Sequence, residues 1–149
     1  MSRLFSKPYI QENTIEINRM DTLMIDSKIT NVEMLPNAEK NVHVVLETFE
    51  EGPELEVFVS DEVKKIVVTM PGRRNWFMTT GSKKSHLTIY IPEEFVGFYE
   101  IQNSAGNMKM RDLVAERFEV GTGAGNIELN RMKTKRLIVK TGAGNIEGY

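Results

Sequence analysis

The C-terminal third of the chain repeats one four-residue phrase: Ser104-Ala105-Gly106-Asn107, then Gly123-Ala124-Gly125-Asn126, then Gly142-Ala143-Gly144-Asn145. Successive copies are 19 residues apart. A fixed period near twenty residues is typical of one supersecondary unit stacked on copies of itself. This repeat therefore decides which kind of fold the chain forms.

Apolar residues keep the same period as the Gly-Asn phrase. They form three columns: Tyr99, Phe118 and Leu137; Ile101, Val120 and Val139; and Met108, Ile127 and Ile146. Each copy holds two short runs of alternating polarity, such as 126–129 and 137–140, which favour β-strands over helix. The segment between these runs is too short for a crossover helix. Each period therefore predicts two strands and two turns, with like strands of successive coils pairing in parallel.

The predicted fold is all-β. We expect a single-stranded parallel β-solenoid (β-helix), right-handed, with coils of about 19 residues in the C-terminal half and irregular coils in the N-terminal half. Residues 1–149 are expected to form one domain. Its predicted parts are an N-terminal cap or extension at 1–13, irregular coils at 14–69, a basic-aromatic loop at 70–85, and regular coils at 86–149 that continue beyond the chain end.

The N-terminal half also has strand-like runs, but without a fixed period. Strands are predicted at Ile15–Ile17, Leu23–Asp26, Val32–Met34, Val42–Thr48, Leu55–Val59 and Ile66–Thr69. Turns are predicted at 35–37 and 51–53, where Pro and Gly or Asn occur together.

The Asn column has two interpretations, a row of ligand-binding residues or a structural turn ladder. The ladder consists of Gly106, Asn107, Gly125, Asn126, Gly144 and Asn145. In the ladder, each Asn follows a Gly at a tight corner and its amide satisfies turn backbone or its neighbours. We favour the ladder, because the flanking Ala and Gly offer no other binding group. Calcium-binding repeats need an Asp in a Gly-rich turn, and none occurs here.

Composition sets few limits on function. The formal net charge is −2, so no overall field favours nucleic acid or a membrane. Cysteine is absent, which excludes disulfides, thiolate nucleophiles and cysteine-based zinc sites. The N-terminus lacks the apolar run of a signal peptide, and no membrane-spanning run occurs. We expect a cytoplasmic protein, with the inner face of the envelope as the alternative location.

A search for catalytic patterns favours a protein that is not an enzyme. His43 and His86, the two histidines, lie in strand-like runs. There is no Ser/His/Asp order, HExxH motif, P-loop or dinucleotide fingerprint. The glutamates of the repeats alternate with core residues, as solvent-facing positions do: Glu100, Glu119, Glu128 and Glu147. We therefore predict no catalytic, cofactor-binding or metal site, no cofactor, and no small-molecule substrate.

The loop at 70–85 is the strongest candidate for contact with a partner or a membrane. Its candidate residues are Arg73, Arg74, Trp76, Phe77, Lys83 and Lys84. Basic residues beside exposed aromatics suit a protein partner or an anionic lipid surface. Nucleic acid is less favoured, because four cations bind phosphate backbones weakly at physiological salt. The alternative is a hairpin whose aromatic residues fold back onto the solenoid.

An acidic stretch lies at 47–62. It carries Glu47, Glu50, Glu51, Glu54, Glu56, Asp61 and Glu62 with no Lys or Arg. It forms a solvated face, or it pairs with the basic loop of a neighbouring molecule in a heterologous, salt-sensitive contact. Self-association or a protein partner is therefore expected.

Three segments carry a family resemblance. The run 87–92 ends in Ile-Pro, and 98–101 and 104–110 follow it with the first strand and Gly-Asn unit of the repeat. This order resembles a bacterial family of unknown function labelled "putative adhesin" or β-strand-repeat-containing, and 24–34 resembles its first coil. The resemblance implies a β-solenoid, no established catalytic residues and a loose association with the envelope. We therefore predict a non-enzymatic binding or scaffold module. The alternative is a polymer-forming scaffold, because bacterial cytoskeletal β-helix filaments, which this chain also resembles, have coils of similar period.

Overall fold

The computed structural model describes residues 9–49, 52–69 and 85–148, which form thirteen β-strands and no helix. The strands are β1 Tyr9–Ile15, β2 Thr22–Ile29, β3 Asn31–Asn37, β4 Val42–Thr48, β5 Glu54–Val59, β6 Val63–Thr69, β7 His86–Pro92, β8 Phe98–Ala105, β9 Met108–Arg111, β10 Val114–Ala124, β11 Ile127–Asn130, β12 Lys133–Thr141 and β13 Ile146–Gly148. The predicted all-β fold is confirmed. Nothing in the described ranges forms a helix long and apolar enough to cross a membrane.

The strands form two sheets with a shared core. Sheet A has the order β1-β4-β7-β3-β9-β11-β13, and sheet B has the order β5-β6-β2-β8-β10-β12. We call two strands at the same level of the stack, one from each sheet, a layer. The last layer is β12 with β13, and β1 lies beyond the layer of β4 and β5 without a described counterpart in sheet B.

The C-terminal repeats form successive layers, and their register confirms the 19-residue columns. Phe118 of β10 pairs with Tyr99 of β8 on one side and Leu137 of β12 on the other. In sheet A, Ile127 pairs in the same way with Met108 and Ile146. All of these pairings are parallel. Each period therefore adds one strand to each sheet, as the alternation predicted.

The prediction of a single-stranded parallel solenoid along the whole chain is wrong for the N-terminal half. β4 lies antiparallel to both β1 and β7, and β5 lies antiparallel to β6. The order of the strands in each sheet also differs from their order in the chain. In sheet A, β7 lies between β3 and β4, and in sheet B, β6 lies between β2 and β5. For β5 and β6 the cause of the antiparallel pairing is a tight turn between them, where Ser60 N–H donates to Val63 O at 2.9 Å and the chain reverses.

Two further details of the N-terminal half differ from prediction. Residues 35–37 belong to β3 rather than to a turn, and the chain bends at 38–41 instead. The first strand occupies 9–15 rather than 15–17, so the expected cap contributes the edge strand of sheet A. At the start of the predicted regular coils, β7 pairs antiparallel with β4 and parallel with β3.

The core lies between the sheets and is built mainly from apolar side chains. The column residues Tyr99 and Phe118 have no exposed surface, and their ring centroids are 4.8 Å apart. Phe95 meets Tyr99 edge-on at 5.2 Å. Burial raises the pKa of the Tyr99 hydroxyl, so this side chain stays neutral in the core. The stack is thus held by aromatic and aliphatic contacts between layers.

Candidate functional surface

The Asn column forms a hydrogen-bonded ladder along the corner between the sheets. Asn107 Oδ1 accepts from the backbone N–H of Asn126 at 2.9 Å, and Asn126 Oδ1 accepts from Asn145 N–H at 2.8 Å. The ladder has a fourth member, since Asn31 Oδ1 accepts from Asn107 N–H at 2.9 Å. These amides are therefore engaged in joining layers.

The 19-residue period does not identify Asn31 as a member of the ladder, because Asn31 lies 76 residues before Asn107. The signal that identifies it is local: Asn31 precedes an inward-facing Val32, as Asn107 precedes Met108. Only the register of β3 with β9 brings the two corners together.

Glycine before each Asn is required by the corner geometry. Gly106, Gly125 and Gly144 have φ values of 133°, 138° and 142°, in the region that L side chains rarely adopt. A Cβ at Gly125 would also collide with the carbonyl oxygen of Gly106 in the layer beneath. Backbone of one corner therefore rests directly on backbone of the next.

A buried polar network lies on the inner side of the same corner. Ser27 Oγ donates to Asn103 Oδ1 at 2.9 Å, and Asn103 Nδ2 donates to Thr30 O at 2.9 Å. Ser85 Oγ donates to Thr30 Oγ1 at 2.6 Å. These side chains satisfy one another and the turn backbone, so they fix the corner where the regular repeats meet the N-terminal strands.

A second ladder contact occurs at the opposite corner. Asp112 and Arg131, one period apart, both have positive φ values, 56° and 52°. The Arg131 guanidinium donates to both carboxylate oxygens of Asp112, at 2.6 and 2.9 Å. The hydrogen bond from Arg131 is the main cause that lowers the pKa of Asp112 to about 2. The pair is a solvent-exposed clamp between neighbouring turns.

Among the described residues, the ion pair of Asp21 with Lys64 is buried. Lys64 Nζ donates to Asp21 Oδ2 at 2.8 Å and to Asp61 O at 2.9 Å, and Asn18 N–H donates to the same Asp21 oxygen at 2.8 Å. Burial acts to raise the pKa of Asp21, but the bonds from Lys64 and Asn18 outweigh it and leave the pKa below its ordinary value. The pair joins the start of β2 to the start of β6.

The histidines lie half-exposed on the outer face of sheet A. His43 Nδ1 is 3.4 Å from Thr14 Oγ1, and His43 Nε2 is 3.5 Å from Glu12 Oε1. His86 Nε2 is 3.5 Å from Glu33 Oε1. All three distances exceed the 2.6–3.2 Å, roughly, at which a general base accepts a proton. This arrangement is a set of loose surface contacts between neighbouring strands.

The outer face of sheet B carries an open cleft of about 230 Å³. Asp26, Glu100 and Glu119 line it together with Lys65. Glu119 is also held by Arg117 Nη2 at 2.7 Å. Within the described ranges, no group of three or more His, Cys, Asp or Glu side chains is arranged to hold a metal ion.

The last layer exposes residues that are core residues in the layers beneath it. Leu137 and Ile146 are 44% and 46% exposed, whereas Phe118 and Ile127 in the same columns are fully buried. Among the described strands, β12 and β13 each end their sheet, so this layer presents two strand edges and an apolar surface between them. Such a surface is suited to pairing with another polypeptide.

The candidate contact residues in the 70–84 segment, Arg73, Arg74, Trp76, Phe77, Lys83 and Lys84, lie outside the described residues. So do Glu50 and Glu51 of the acidic stretch. Glu54 and Glu56 are exposed on the edge strand β5, while Glu47 is exposed on β4 in the other sheet. The described acidic residues are therefore divided between the two sheets.

Three solved structures are similar to this chain. A "putative cell adhesion protein" from Clostridium sporogenes ATCC 15579 is 14% identical, with 96% of this chain and 100% of that chain covered and a TM-score of 0.68. A "putative adhesin" from Bacteroides fragilis NCTC 9343 is 10% identical, with 95% and 97% covered and a TM-score of 0.42. A "putative adhesin" from Parabacteroides distasonis ATCC 8503 is 9% identical, with 96% and 67% covered and a TM-score of 0.39.

The family resemblance inferred from the repeat is confirmed. Comparison with curated proteins found no match. The likeness to the Clostridium sporogenes structure shows that the two chains share a fold. The family model described as Toastrack DUF4097 matches residues 16–148, nearly the whole chain. The protein therefore belongs to the Toastrack DUF4097 family.

Proposed function

We propose that this chain is a non-enzymatic binding or scaffold module that holds a protein partner at its last layer, β12 with β13. The observation that carries the proposal is the exposure of Leu137 and Ile146, whose column neighbours Phe118 and Ile127 are fully buried. A partner strand at this layer would complete both the backbone pairing and the apolar columns.

Two further observations support binding over catalysis. The ladder asparagines and the buried Asp21–Lys64 pair use their polar groups in contacts between layers. A binding role also agrees with the words "putative cell adhesion protein" used for the Clostridium sporogenes structure.

The alternative of a polymer-forming scaffold has less support. Sheet A has seven strands and sheet B six, because β1 extends beyond the layer of β4 and β5. A second copy stacked in line, with its β5 against β12, would bring its β1 into the space of β13. The two ends of the described stack are therefore poorly matched for smooth in-line growth.

The proposal is tested by site-specific photocrosslinking in the cell that makes the protein. A photoreactive amino acid replaces Leu137 in the last layer, and a matched control replaces Lys109, which is exposed on the outer face of sheet A. We expect discrete crosslinked products from position 137 and none from position 109. Mass spectrometry then identifies each product.

Two results would contradict a partner at the last layer. One is the absence of any product from position 137 in a variant that folds and accumulates like the wild type. The other is an equal yield of the same products from position 109, which would indicate random encounter rather than a binding surface.

A further inference from the structure

We propose that the edge of β12 binds an acidic, extended segment of a protein partner, which pairs with β12 as a seventh strand of sheet B. This inference rests on the proposed function and names the chemistry of the partner. It concerns β12 alone, whose backbone and side chains offer two independent kinds of recognition.

The backbone of β12 offers unpaired groups to such a strand. β12 is the last strand of sheet B, and Gly142 N–H, just after it, donates inward to Thr122 O of β10 at 3.1 Å. Alternate residues of a strand point their N–H groups to opposite sides. The N–H groups of Thr141, Val139 and Leu137 therefore point to the open edge, which is the arrangement that strand addition uses.

The side chains of β12 give this edge its charge. Residues 131–140 contain five cations and no acid: Arg131, Lys133, Lys135, Arg136 and Lys140. Arg131 is held by Asp112, and Lys135 Nζ lies 3.1 Å from Glu116 Oε2. Lys133, Arg136 and Lys140 are exposed, and no ion pair joins them to a carboxylate of the described residues.

The alternation of β12 specifies the pattern of the docked strand. The register with β10 sets Leu137 and Val139 on the core side. It sets Arg136, Ile138 and Lys140 on the outer face, next to Arg117, Glu119 and Gly121, so the two cations flank one apolar residue. A strand that alternates carboxylate and apolar residues places its carboxylates beside Arg136 and Lys140. Its apolar residues then cover Leu137 and Val139, since directly opposed cross-strand side chains lie in contact.

A second copy of this chain fits the edge less well. Two β12 strands in antiparallel contact would oppose the same cations, which is unfavourable. The acidic β5 of an in-line second copy is disfavoured, because sheet A of that copy has one strand more than sheet B and the two ends do not match. The cations thus disfavour pairing between two copies of this chain, as charges on natural edge strands do. The same cations attract an acidic strand.

The test uses the full chain and a blocked seven-residue peptide in which valine and glutamate alternate. Amide hydrogen exchange and NMR titration follow the N–H groups of Leu137, Val139 and Thr141. We expect the peptide to slow exchange at these amides and to bind more weakly as salt rises. A peptide with lysine in place of glutamate should not bind.

Two variants separate charge from strand pairing. The triple variant Lys133→Gln, Arg136→Gln and Lys140→Gln should lower the affinity for the peptide about tenfold, whereas Lys28→Gln, Lys40→Gln and Lys109→Gln, at exposed sites elsewhere, should leave it unchanged. Leu137→Pro removes one edge-facing N–H without removing a bond to β10 and should abolish binding. Circular dichroism and the urea midpoint establish that each variant folds.

Several outcomes would overturn the inference. Unchanged exchange at the three edge amides with the peptide in excess would exclude strand addition. Tighter binding of a thymidine oligonucleotide or of phosphatidylserine vesicles to this edge would assign the cations to another class of partner. Self-association of the triple Gln variant, with no peptide binding by the wild type, would show that the cations only guard the edge.

Failure of this inference is distinguishable from failure of the proposed function. A crosslinked partner at position 137 whose yield is unaffected by the triple Gln substitution would retain the binding module and exclude an acidic strand. The absence of any crosslinked partner would contradict the proposed function itself, whatever the peptide does.

Discussion

Asn107 and Asn126 are one period apart, and the side-chain oxygen of Asn107 accepts the backbone N–H of Asn126 at 2.9 Å. The bond spans two layers that are already joined by strand pairing between β9 and β11. It therefore extends the pairing around the corner, where the strands themselves end.

Replacement of Asn107 by Ala should lower the free energy of unfolding by about 1 kcal/mol, because Asn126 N–H loses its acceptor. Asn107→Asp keeps an acceptor oxygen at the same position and should cost less. Urea unfolding of the three proteins measures both differences. Equal losses for Ala and Asp would indicate that the ladder bond contributes nothing to stability.

Gly125→Ala should destabilise the fold strongly. Its φ of 138° costs a residue with a Cβ about 1–3 kcal/mol, and the collision with Gly106 O adds to that cost. Gly148→Ala is the matched control, since a Cβ there has no neighbour within 4 Å. We expect the control to lie within about 0.5 kcal/mol of the wild type. Similar unfolding midpoints for the two variants would contradict the proposed corner geometry.

Ile127→Asp should unfold the C-terminal layers. Ile127 is fully buried in sheet A, and an unpaired carboxylate there costs several kcal/mol, roughly. Glu128→Asp, at the adjacent outward-facing position, should leave the fold intact. Far-ultraviolet circular dichroism and thermal unfolding measure the effect. An unchanged spectrum and midpoint for Ile127→Asp would mean that the strand register is wrong.

The buried pair of Asp21 and Lys64 should make stability depend on acid pH. The folded-state pKa of Asp21 lies below its unfolded value of about 3.9. Such a group contributes stability above the unfolded pKa, and this contribution is lost as pH falls through the folded pKa. The free energy of unfolding should therefore decline below about pH 4, and Asp112 adds a loss of the same sign as its carboxyl protonates near pH 2.

Asp21→Asn isolates the contribution of the pair. At neutral pH it should cost about 3–5 kcal/mol, because it leaves Lys64 as an unpaired buried charge. The decline below pH 4 should be smaller in this variant than in the wild type. An equal decline in both proteins would assign the acid sensitivity to other carboxyls.

The regular half of the fold was predictable because its contacts recur at a fixed spacing. The pairing of Tyr99, Phe118 and Leu137 follows from the 19-residue period alone, since parallel layers bring equivalent residues together. Apart from the first, the strands of the N-terminal half were predicted from alternation at nearly the observed positions. The order of these strands within the sheets was not predicted. Any strand can form backbone hydrogen bonds with any other, and no repeat period in this half indicates which strands are neighbours.

The candidate surface was less predictable than the core. The link from Asn31 to Asn107 depends on β3 lying beside β9, which joins residues far apart in sequence. The pairing of Lys64 with Asp21 depends in the same way on β6 lying beside β2. The cations of β12 are evident in the sequence, but their position on an edge strand follows only from the order of strands in sheet B.

The ladder at the Asn corner also relates the length of the molecule to the number of its repeats. At this corner each layer contacts the layer before it through one amide hydrogen bond and one glycine, in addition to strand pairing. The contacts of a layer therefore do not depend on how many layers exist. Duplication of one 19-residue unit should therefore lengthen the molecule by one strand spacing, about 4.8 Å, and leave both ends as they are. Variation in the number of repeats would then change the distance between the two ends of the module, while the residues exposed on the last layer stay the same.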